Sequence, residues 1–377
     1  MRMHKLFLIA GLACTVSLNP LTALADEHSM HIDHEGMHHS SGHETHNHND
    51  LVPIGMMGSH MHKKGDWMVS YRYMHMDMDG NRDGTSRVDP VTIATTEANR
   101  FFGMTGQPST LRVVPTDMSM EMHMFGAMYA PSDWLTLMAM INFEEKEMDH
   151  ITFAGGMGTT VLGNFTTKSE GWSDTKLTGL IRLFEDDMHH VHANLGLSLP
   201  TGSIDEEATV LTPMGMRPKL RMPYAMQLGT GTFDLLPGLT YSGHKGDWGW
   251  GAQYSAEIRL EDENSEGYAW GDKHSLSAWG AYQWTPWIST SARVTGTTQD
   301  SIDGIDSQIM APVQTADPDN YGGEVIELGL GINLYGQVGV VKGHKVAIEA
   351  TAPLYRDLNG PQLETDMKLT IGWQYSF

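Results

Sequence analysis

The hydrophobic pattern is clearest in the last fourteen residues of the chain, 364–377. Apolar side chains occupy alternate positions from Met367 to Phe377, and polar or small side chains lie between them. A period of two predicts an extended strand with one apolar and one polar face. An edge strand of a soluble β-sandwich and a strand of a membrane barrel would both show this pattern.

The same period recurs along the chain and predicts twelve strands. Trp248 to Leu260 shows it best, because bulky apolar residues alternate there with glycine and polar residues. The predicted strands are 67–74, 117–130, 134–144, 173–185, 189–199, 232–243, 248–260, 274–284, 287–298, 323–335, 344–355 and 364–377. The boundaries leave ten or fourteen strands open as alternatives.

Long and short connections alternate between these strands. The long ones cover 77–116, 145–172, 200–231, 261–273, 299–322 and 356–363, whereas turns such as Pro131–Asp133 and Thr285–Pro286 are short. Outer-membrane barrels have long extracellular loops, short periplasmic turns and an even number of strands. The sequence therefore predicts an all-β fold, a transmembrane antiparallel β-barrel of about twelve strands over residues 65–377.

The beginning of the chain predicts its compartment. Arg2 and Lys5 precede an apolar run from Leu6 to Val16, and small residues follow at 23–25, so residues 1–25 have the pattern of a secretory signal peptide. Cleavage there would remove the single cysteine, so we expect no disulfide. With the barrel, this predicts the outer membrane of a Gram-negative bacterium, with its lipid as one partner. A final strand ending on Phe377 resembles the signal that the barrel assembly machinery binds.

Charge and motifs exclude other classes of function. The formal net charge is −22, which argues against nucleic acid as a partner and favours a surface that attracts cations. The chain has no G-x-S-x-G motif and no evident set of nucleophile, base and orienting residue, so we expect no enzymatic activity.

Residues 26–64 form a segment rich in histidine and methionine. Because it has few aliphatic residues to bury, we expect a disordered tail. Its histidines and one central methionine are candidate metal ligands: His28, His31, His34, His38, His39, His43, His46, His48, His60, Met61 and His62. Imidazole suits Zn, Ni and Cu(II), and thioether adds a preference for Cu(I) or Ag(I). The alternative is a merely solvated polar tail; in either case it precedes the first strand and is predicted to be periplasmic.

Further candidate ligands lie in the predicted barrel. His189, His190 and His192 belong to a turn region on the side of the membrane where the tail begins. Met120, Met122, Met124 and Met140 share strand faces, and a three-residue turn at 131–133 would place Met124 opposite Met140. A luminal thioether track could pass Cu(I), whereas methionines facing lipid or filling gaps would be structural. The sequence leaves the face of these methionines open.

Charged residues on the polar strand faces are expected to line the lumen. They are Arg72, Glu257, Arg259, Arg293, Glu327, Glu349, Asp366 and Lys368. Charges of both signs would either line a permeation path or pair with one another as structural plugs.

Two short motifs carry a resemblance to a known family. Leu-Gly-Leu-Ser-Leu-Pro-Thr-Gly at 195–202 and Leu-Gly-Thr-Gly-Thr-Phe-Asp at 228–234, followed by Pro237-Gly238-Leu239, resemble the outer-membrane transporter family named after the phenol meta-cleavage pathway. That resemblance implies a porin-like barrel and transport of small aromatic compounds. The segment 55–68, with Gly-Met-Met-Gly and His-Met-His, is similar to a His/Met-rich branch associated with copper handling.

The sequence thus predicts an outer-membrane channel for small solutes or metal ions, with a tail that binds copper-like ions and no tightly bound cofactor. Uptake of small aromatic or hydrophobic compounds is one alternative. A barrel that only anchors a metal-sequestering tail is the other.

Overall fold

The computed structural model describes residues 51–377, and residues 1–50 lie outside the described part. Seventeen strands and one helix account for its regular structure. The strands are β1 Trp67–Gly84, β2 Ser86–Val88, β3 Val113–Ser132, β4 Leu135–Phe153, β5 Val161–Trp172, β6 Thr175–Glu185, β7 His189–Leu199, β8 Glu207–Thr209, β9 Lys219–Arg221, β10 Asp234–Lys245, β11 Trp248–Arg259, β12 Tyr268–Ala269, β13 Lys273–Thr285, β14 Ile288–Gln299, β15 Asp303–Gly304, β16 Gly323–Tyr335 and β17 His344–Ser376. The helix α1 is Pro90–Thr96, and short 3₁₀ turns lie at Tyr224–Met226, Gln314–Ala316, Pro318–Asn320 and Gly339–Val341.

Eleven of these strands form one closed antiparallel barrel. Their order is β1, β3, β4, β6, β7, β10, β11, β13, β14, β16 and β17, and β17 pairs back with β1. Nine antiparallel steps separate β1 from β16, so these two strands run in opposite directions. The first half of β17 is antiparallel to β16 and the second half is antiparallel to β1, so the chain must reverse within β17. Ten strands plus two halves give the twelve positions predicted from the sequence.

At one end of the barrel the observed strands extend beyond the bounds predicted from the sequence. Residues 145–172 were expected to form a loop, but they continue β4 to Phe153 and then return as β5. The strand β5 pairs with residues 143–153 of β4, whereas β6 pairs with residues 135–140. The outward residues here are charged, and Lys168 binds Glu147 across the strands at 2.6 Å. The apolar alternation is absent because this part of the wall does not face lipid.

The outer surface of the barrel is apolar. Leu137, Ile141 and Leu330 are exposed on its outer face, and tryptophans cluster near the short turns, among them Trp134 and Trp248. Aromatic girdles at the membrane interface are typical of outer-membrane barrels. No helix within residues 51–377 is long and apolar enough to cross a membrane. The fold prediction of a membrane-type β-barrel is confirmed.

The two ends of the barrel differ. The short turns and both strand termini lie at one end, here called the turn end, where Trp67 and Phe377 exchange backbone hydrogen bonds of 2.8 and 2.9 Å. The long connections lie at the other end, the loop end. Residues from five of them pack into one apolar core that includes Phe101, Tyr224 and Tyr268. These connections therefore meet across the loop end.

The two motifs at 195–202 and 228–234 meet at the loop end. The Asp174 carboxylate accepts hydrogen bonds from the backbone N–H of Gly202 at 2.9 Å and of Thr230 at 2.8 Å. Gly229 passes so close to Gly202 that a Cβ on it would lie 2.6 Å from the Gly202 carbonyl oxygen. The motifs thus pin the long 200–233 connection to the barrel.

Substitution Gly229→Ala tests this contact. The new methyl group would meet backbone that cannot turn aside, so we expect a loss of about 1–3 kcal/mol in stability, the usual cost of overpacking. The measurement is the temperature at which the folded, SDS-resistant band converts to the unfolded form. Gly280→Ala is the control, because its Cβ would have no atom within 4 Å. Equal shifts for both variants would contradict the pinning role.

Candidate functional site: the barrel lumen

The barrel encloses a cavity of about 610 Å³. Its lining comes from most of the strands of the ring and from residues 54–58, which precede β1. Two kinds of surface share its wall, one rich in methionine and one rich in charge. The cavity is the candidate functional site.

Methionines cover the inner face of β1, β3 and β4, and we call this surface the methionine wall. Met74, Met122, Met124, Met138 and Met140 line the cavity directly. On the same strands the alternate residues, such as Phe125 and Leu137, are exposed on the outer face. The face that the sequence left open is therefore the luminal one, and it holds all four predicted strand ligands, Met120, Met122, Met124 and Met140.

The expected pairing of Met124 with Met140 is wrong. Met124 lies opposite Asn142, and Met140 lies opposite Gly126. The hairpin turns tightly, since Ser132 pairs with Leu135, and the register shifts between Tyr129 and Ser132. The position of the turn and this irregularity together place the pairing two residues away from the expected one, and the alternation of side chains does not reveal either of them.

Ion pairs organise the rest of the lumen, from β6 round to β17, which we call the charged wall. It borders the methionine wall on both sides, since Lys176 pairs with Met140 and Lys368 pairs with Met76 across neighbouring strands. Lys176 Nζ binds Glu257 Oε1 at 2.8 Å, and Lys368 Nζ binds Glu327 Oε1 at 2.7 Å. Arg293 lines the cavity as well. Because nearly every charge has a close partner of opposite sign, this wall is polar and close to neutral.

The other predicted lumen residues lie in three places. Arg259 contacts Asp234 in the ion-pair network of the charged wall. Glu349 is 1% exposed and binds Arg293. Arg72 reaches the cavity from β1 beside the methionine wall, and Asp366 lies near the loop end with Arg87 and Arg356. The lumen thus holds fewer unpaired charges than the sequence pattern suggests.

Residues 51–64 fill the turn end of the lumen, and we call them the plug segment. Its anchor is the Gly58 carbonyl oxygen, which accepts hydrogen bonds from His192 Nε2 at 2.9 Å and Asn194 Nδ2 at 3.3 Å. Gln253 Nε2 donates to the Met57 carbonyl at 3.0 Å. Lys345 Nζ donates to the Val52 carbonyl at 3.0 Å. Wall side chains thus satisfy the backbone of a segment that has no regular secondary structure.

Two wall glycines make room for the plug segment. A Cβ on Gly249 would lie 2.8 Å from Leu51 Cβ, and one on Gly372 would lie 2.6 Å from Ile54 Cγ1. Leu51 and Ile54 are buried as a result. The expectation of a disordered tail up to residue 64 therefore does not hold for 51–64, since the barrel interior supplies the apolar surface that the segment lacks by itself.

The predicted histidine ligands separate into three groups. His60 and Met61 of the plug segment meet His190 and His192 of β7 around a small cavity of about 20 Å³. His62 packs edge-on against His60 with 5.1 Å between the ring centroids. His189 lies on the outer face, where its Nδ1 is 2.9 Å from the Tyr241 hydroxyl. Residues 28–48 lie outside the described part.

Burial lowers the pKa of His60 well below its ordinary value, and the nearby His62 lowers it further. Burial also lowers the pKa of His62, although Asp66 acts in the opposite direction. Both rings are therefore neutral at neutral pH, the form that can bind a metal. Within residues 51–377, however, no three histidine, cysteine or carboxylate side chains have the geometry of a metal site.

Sequence reasoning missed the plug segment itself. The available signal was the short apolar run Leu51-Val52-Pro53-Ile54, which has no use in a solvated tail. The glycines at 249 and 372 were a second signal, because each interrupts the inner face of a strand.

Comparisons with known proteins agree with the fold. No family model matches the chain, and no curated protein sequence matches it. Among solved structures, an outer membrane channel from Pseudomonas putida F1 is 15% identical, covers 86% of this chain and 100% of its own, and superposes with a TM-score of 0.53. A FadL homologue from Pseudomonas aeruginosa is 10% identical over 83% of this chain and 90% of its own, with a TM-score of 0.43. A deletion mutant of the TodX monoaromatic hydrocarbon channel is 10% identical over 84% and 91%, also with a TM-score of 0.43. The first of these comparisons shows that the chain has the β-barrel fold of an outer-membrane channel.

Filling the two glycine positions should displace the plug segment. Gly249→Ala with Gly372→Ala costs about 1–3 kcal/mol of overpacking against Leu51 and Ile54. Since 1.4 kcal/mol is about a factor of ten in an equilibrium constant, the displaced form should rise about tenfold. A reporter Met56→Cys, at a site 4% exposed, measures this form as its rate of labelling by a maleimide. The control pair Gly280→Ala with Gly296→Ala has open space at both positions. Similar labelling rates in the two double variants would contradict the close fit.

Proposed function

We propose that the protein is an outer-membrane channel that the plug segment closes at its turn end. The observation that carries the proposal is a lumen of about 610 Å³ whose turn end is blocked by a segment of the same chain. That segment is held by side-chain hydrogen bonds to its backbone carbonyls, such as those from His192 and Gln253, and by the burial of Leu51 and Ile54. Each hydrogen bond contributes only about 0.5–1.5 kcal/mol, and none of them belongs to the backbone ladder of the strands, so the plug segment can leave without unfolding the barrel.

The cargo we propose is a copper-like metal ion. The histidines of residues 26–48 would collect such ions through many weak sites next to the plug segment. Short turns face the periplasm in barrels of this kind, so the histidine-rich tail would act on the periplasmic side. The methionine wall would then offer thioether ligands inside the lumen. This combination supports a role in metal handling or efflux.

A small aromatic or hydrophobic compound is the second candidate cargo. The observation that favours it is also the methionine wall, because thioethers are apolar, flexible and make good contacts with aromatic rings. The paired charges on the rest of the lumen wall, such as Lys176 with Glu257, give such a compound no matching surface. We therefore place the metal ion first.

Two deletions separate the roles of the plug segment and the tail. Removal of residues 51–62 should raise the conductance in planar bilayers, because the turn end is then open. Removal of residues 26–50 should leave the conductance as in the full chain, because the plug segment stays in place. Equal conductance for the full chain and the 51–62 deletion would show that the segment does not close a path.

The same pair of deletions tests the metal. A calorimetric titration of the refolded protein with Cu(II) should show several binding sites in the full chain. The 26–50 deletion should lose most of these sites. Mg²⁺ is the control, because a hard ion has no preference for imidazole. Copper binding without conductance in any form would leave only a metal-sequestering protein anchored by its barrel. Conductance without copper binding would favour the aromatic cargo.

A further inference from the structure

Methionine is confined to one face of three neighbouring strands. The inward positions of β1, β3 and β4 hold twelve methionines, namely Met68, Met74, Met76, Met78, Met118, Met120, Met122, Met124, Met128, Met138, Met140 and Met148. The outward positions of these strands hold none and use residues such as Leu137, Ile141 and Phe125. A side chain selected only for apolar surface would occur on both faces. The separation therefore indicates a role for the thioether itself.

The methionines are adjacent in space. Met74 lies opposite Met122, and Met76 lies opposite Met120. Further pairs are Met78–Met118, Met68–Met128, Met118–Met148 and Met128–Met138. Residues directly opposite have Cβ atoms about 4.5–5.5 Å apart. Successive inward residues on one strand are about 6.6 Å apart. A flexible thioether spans such gaps, so each site has a neighbour within reach.

More methionines extend the wall at both ends. At the turn end Met61 of the plug segment and Met138 pack against a cluster of Met68, Met128 and Leu180. At the loop end Met222 and Met226, both fully buried, pack against a cluster that contains Met118 and Met148. The methionines therefore extend from the plug segment, along the cavity, to the loop end.

We propose that the methionine wall is a chain of binding sites along which a soft monovalent cation, Cu(I) or Ag(I), crosses the lumen. This inference rests on the proposed channel and names its cargo more closely. Thioethers prefer soft ions over hard, hydrated ones. They are also neutral, so each holds the ion weakly, and conduction needs several sites that bind well enough to admit an ion and weakly enough to release it.

The charges beside the wall contribute to this selectivity. Lys146 is neutralised by Glu144 at 3.1 Å. Arg72 lies on β1 between Ser70 and Met74 and contacts the Met57 sulfur of the plug segment. Its positive charge opposes every cation, but only a soft ion gains bonds to thioethers that offset the repulsion. A hard ion such as K⁺ gains nothing from the wall.

Methionine-to-leucine substitution distinguishes the role of the sulfur as a metal ligand from the role of the side chain in packing. The variant Met74→Leu, Met122→Leu, Met124→Leu and Met140→Leu keeps volume and apolarity, and such swaps usually cost below about 1.5 kcal/mol each. The control is Met367→Leu, since Met367 lies on the lipid-facing side of β17 and is 43% exposed. Loss of an outer-shell partner of a ligand already costs about 10–100-fold in metal affinity, so loss of the ligands should cost at least as much.

Binding is read residue by residue, which separates the wall from the tail. Full-length protein with ¹³C-methyl methionine is titrated with silver nitrate in detergent. We expect saturable shifts for the methyl groups of Met74, Met122 and Met124, no shift for Met367, and none for any of them with K⁺. Unchanged wall signals at saturating Ag(I) would overturn the proposal.

Transport is read on the same full chain in liposomes, as Ag(I) flux and as conductance in potassium nitrate. The quadruple variant should lose Ag(I) flux by about tenfold or more while its nitrate conductance stays within a factor of about two. Equal Ag(I) flux in the quadruple variant and the control would overturn the relay and leave the channel standing. An absence of conductance in the full chain and in the 51–62 deletion would overturn the channel and the relay together.

Discussion

Closure of the backbone hydrogen-bond ladder is the constraint on which this structure depends. In a bilayer an unpaired N–H or C=O group costs several kcal/mol, so strands that face lipid must pair on both sides. The chain meets this requirement where β17 returns to β1 and Trp67 and Phe377 exchange backbone hydrogen bonds. Closure assigns every residue of the paired strands either to the outer face or to the lumen, and the character of the two surfaces follows from it.

A ring of twelve strand positions leaves more interior than its own side chains fill. Eight strands give an interior that side chains just occupy, and the diameter grows with strand number. Here the space is divided between a cavity, the plug segment and the core of the loop end. The plug segment belongs to no helix or sheet, and the barrel wall holds it instead. The wall donates a hydrogen bond to the Gly58 carbonyl oxygen and leaves space for the segment at Gly249 and Gly372.

The alternation of side chains was enough to predict the barrel, its twelve positions and its outer face. It worked for residues such as Ile332 and Leu334 because lipid demands an apolar side chain at every second position. It failed for residues 145–172, which form the end of β4 and the strand β5, because no lipid imposes the pattern there. It also missed the plug segment, because its contacts with Gly249 and Gln253 lie about 200 residues away in sequence and follow no period.

The hydrophobic pattern could not decide whether the strand methionines face the lumen or the lipid, since methionine and residues on the other face such as Phe125 are both apolar. Register decided it, because β1, β3 and β4 align their even-numbered residues in one grid, and Arg72 and Glu144 in that grid cannot face lipid. The contact between Arg72 and the Met57 sulfur joins this grid to the plug segment. Under the proposed function, departure of the plug segment would remove this thioether from the guanidinium and would also uncover Met68 and Met128, against which Met61 packs. Opening of the proposed channel and exposure of the methionines at the turn end would therefore be one event.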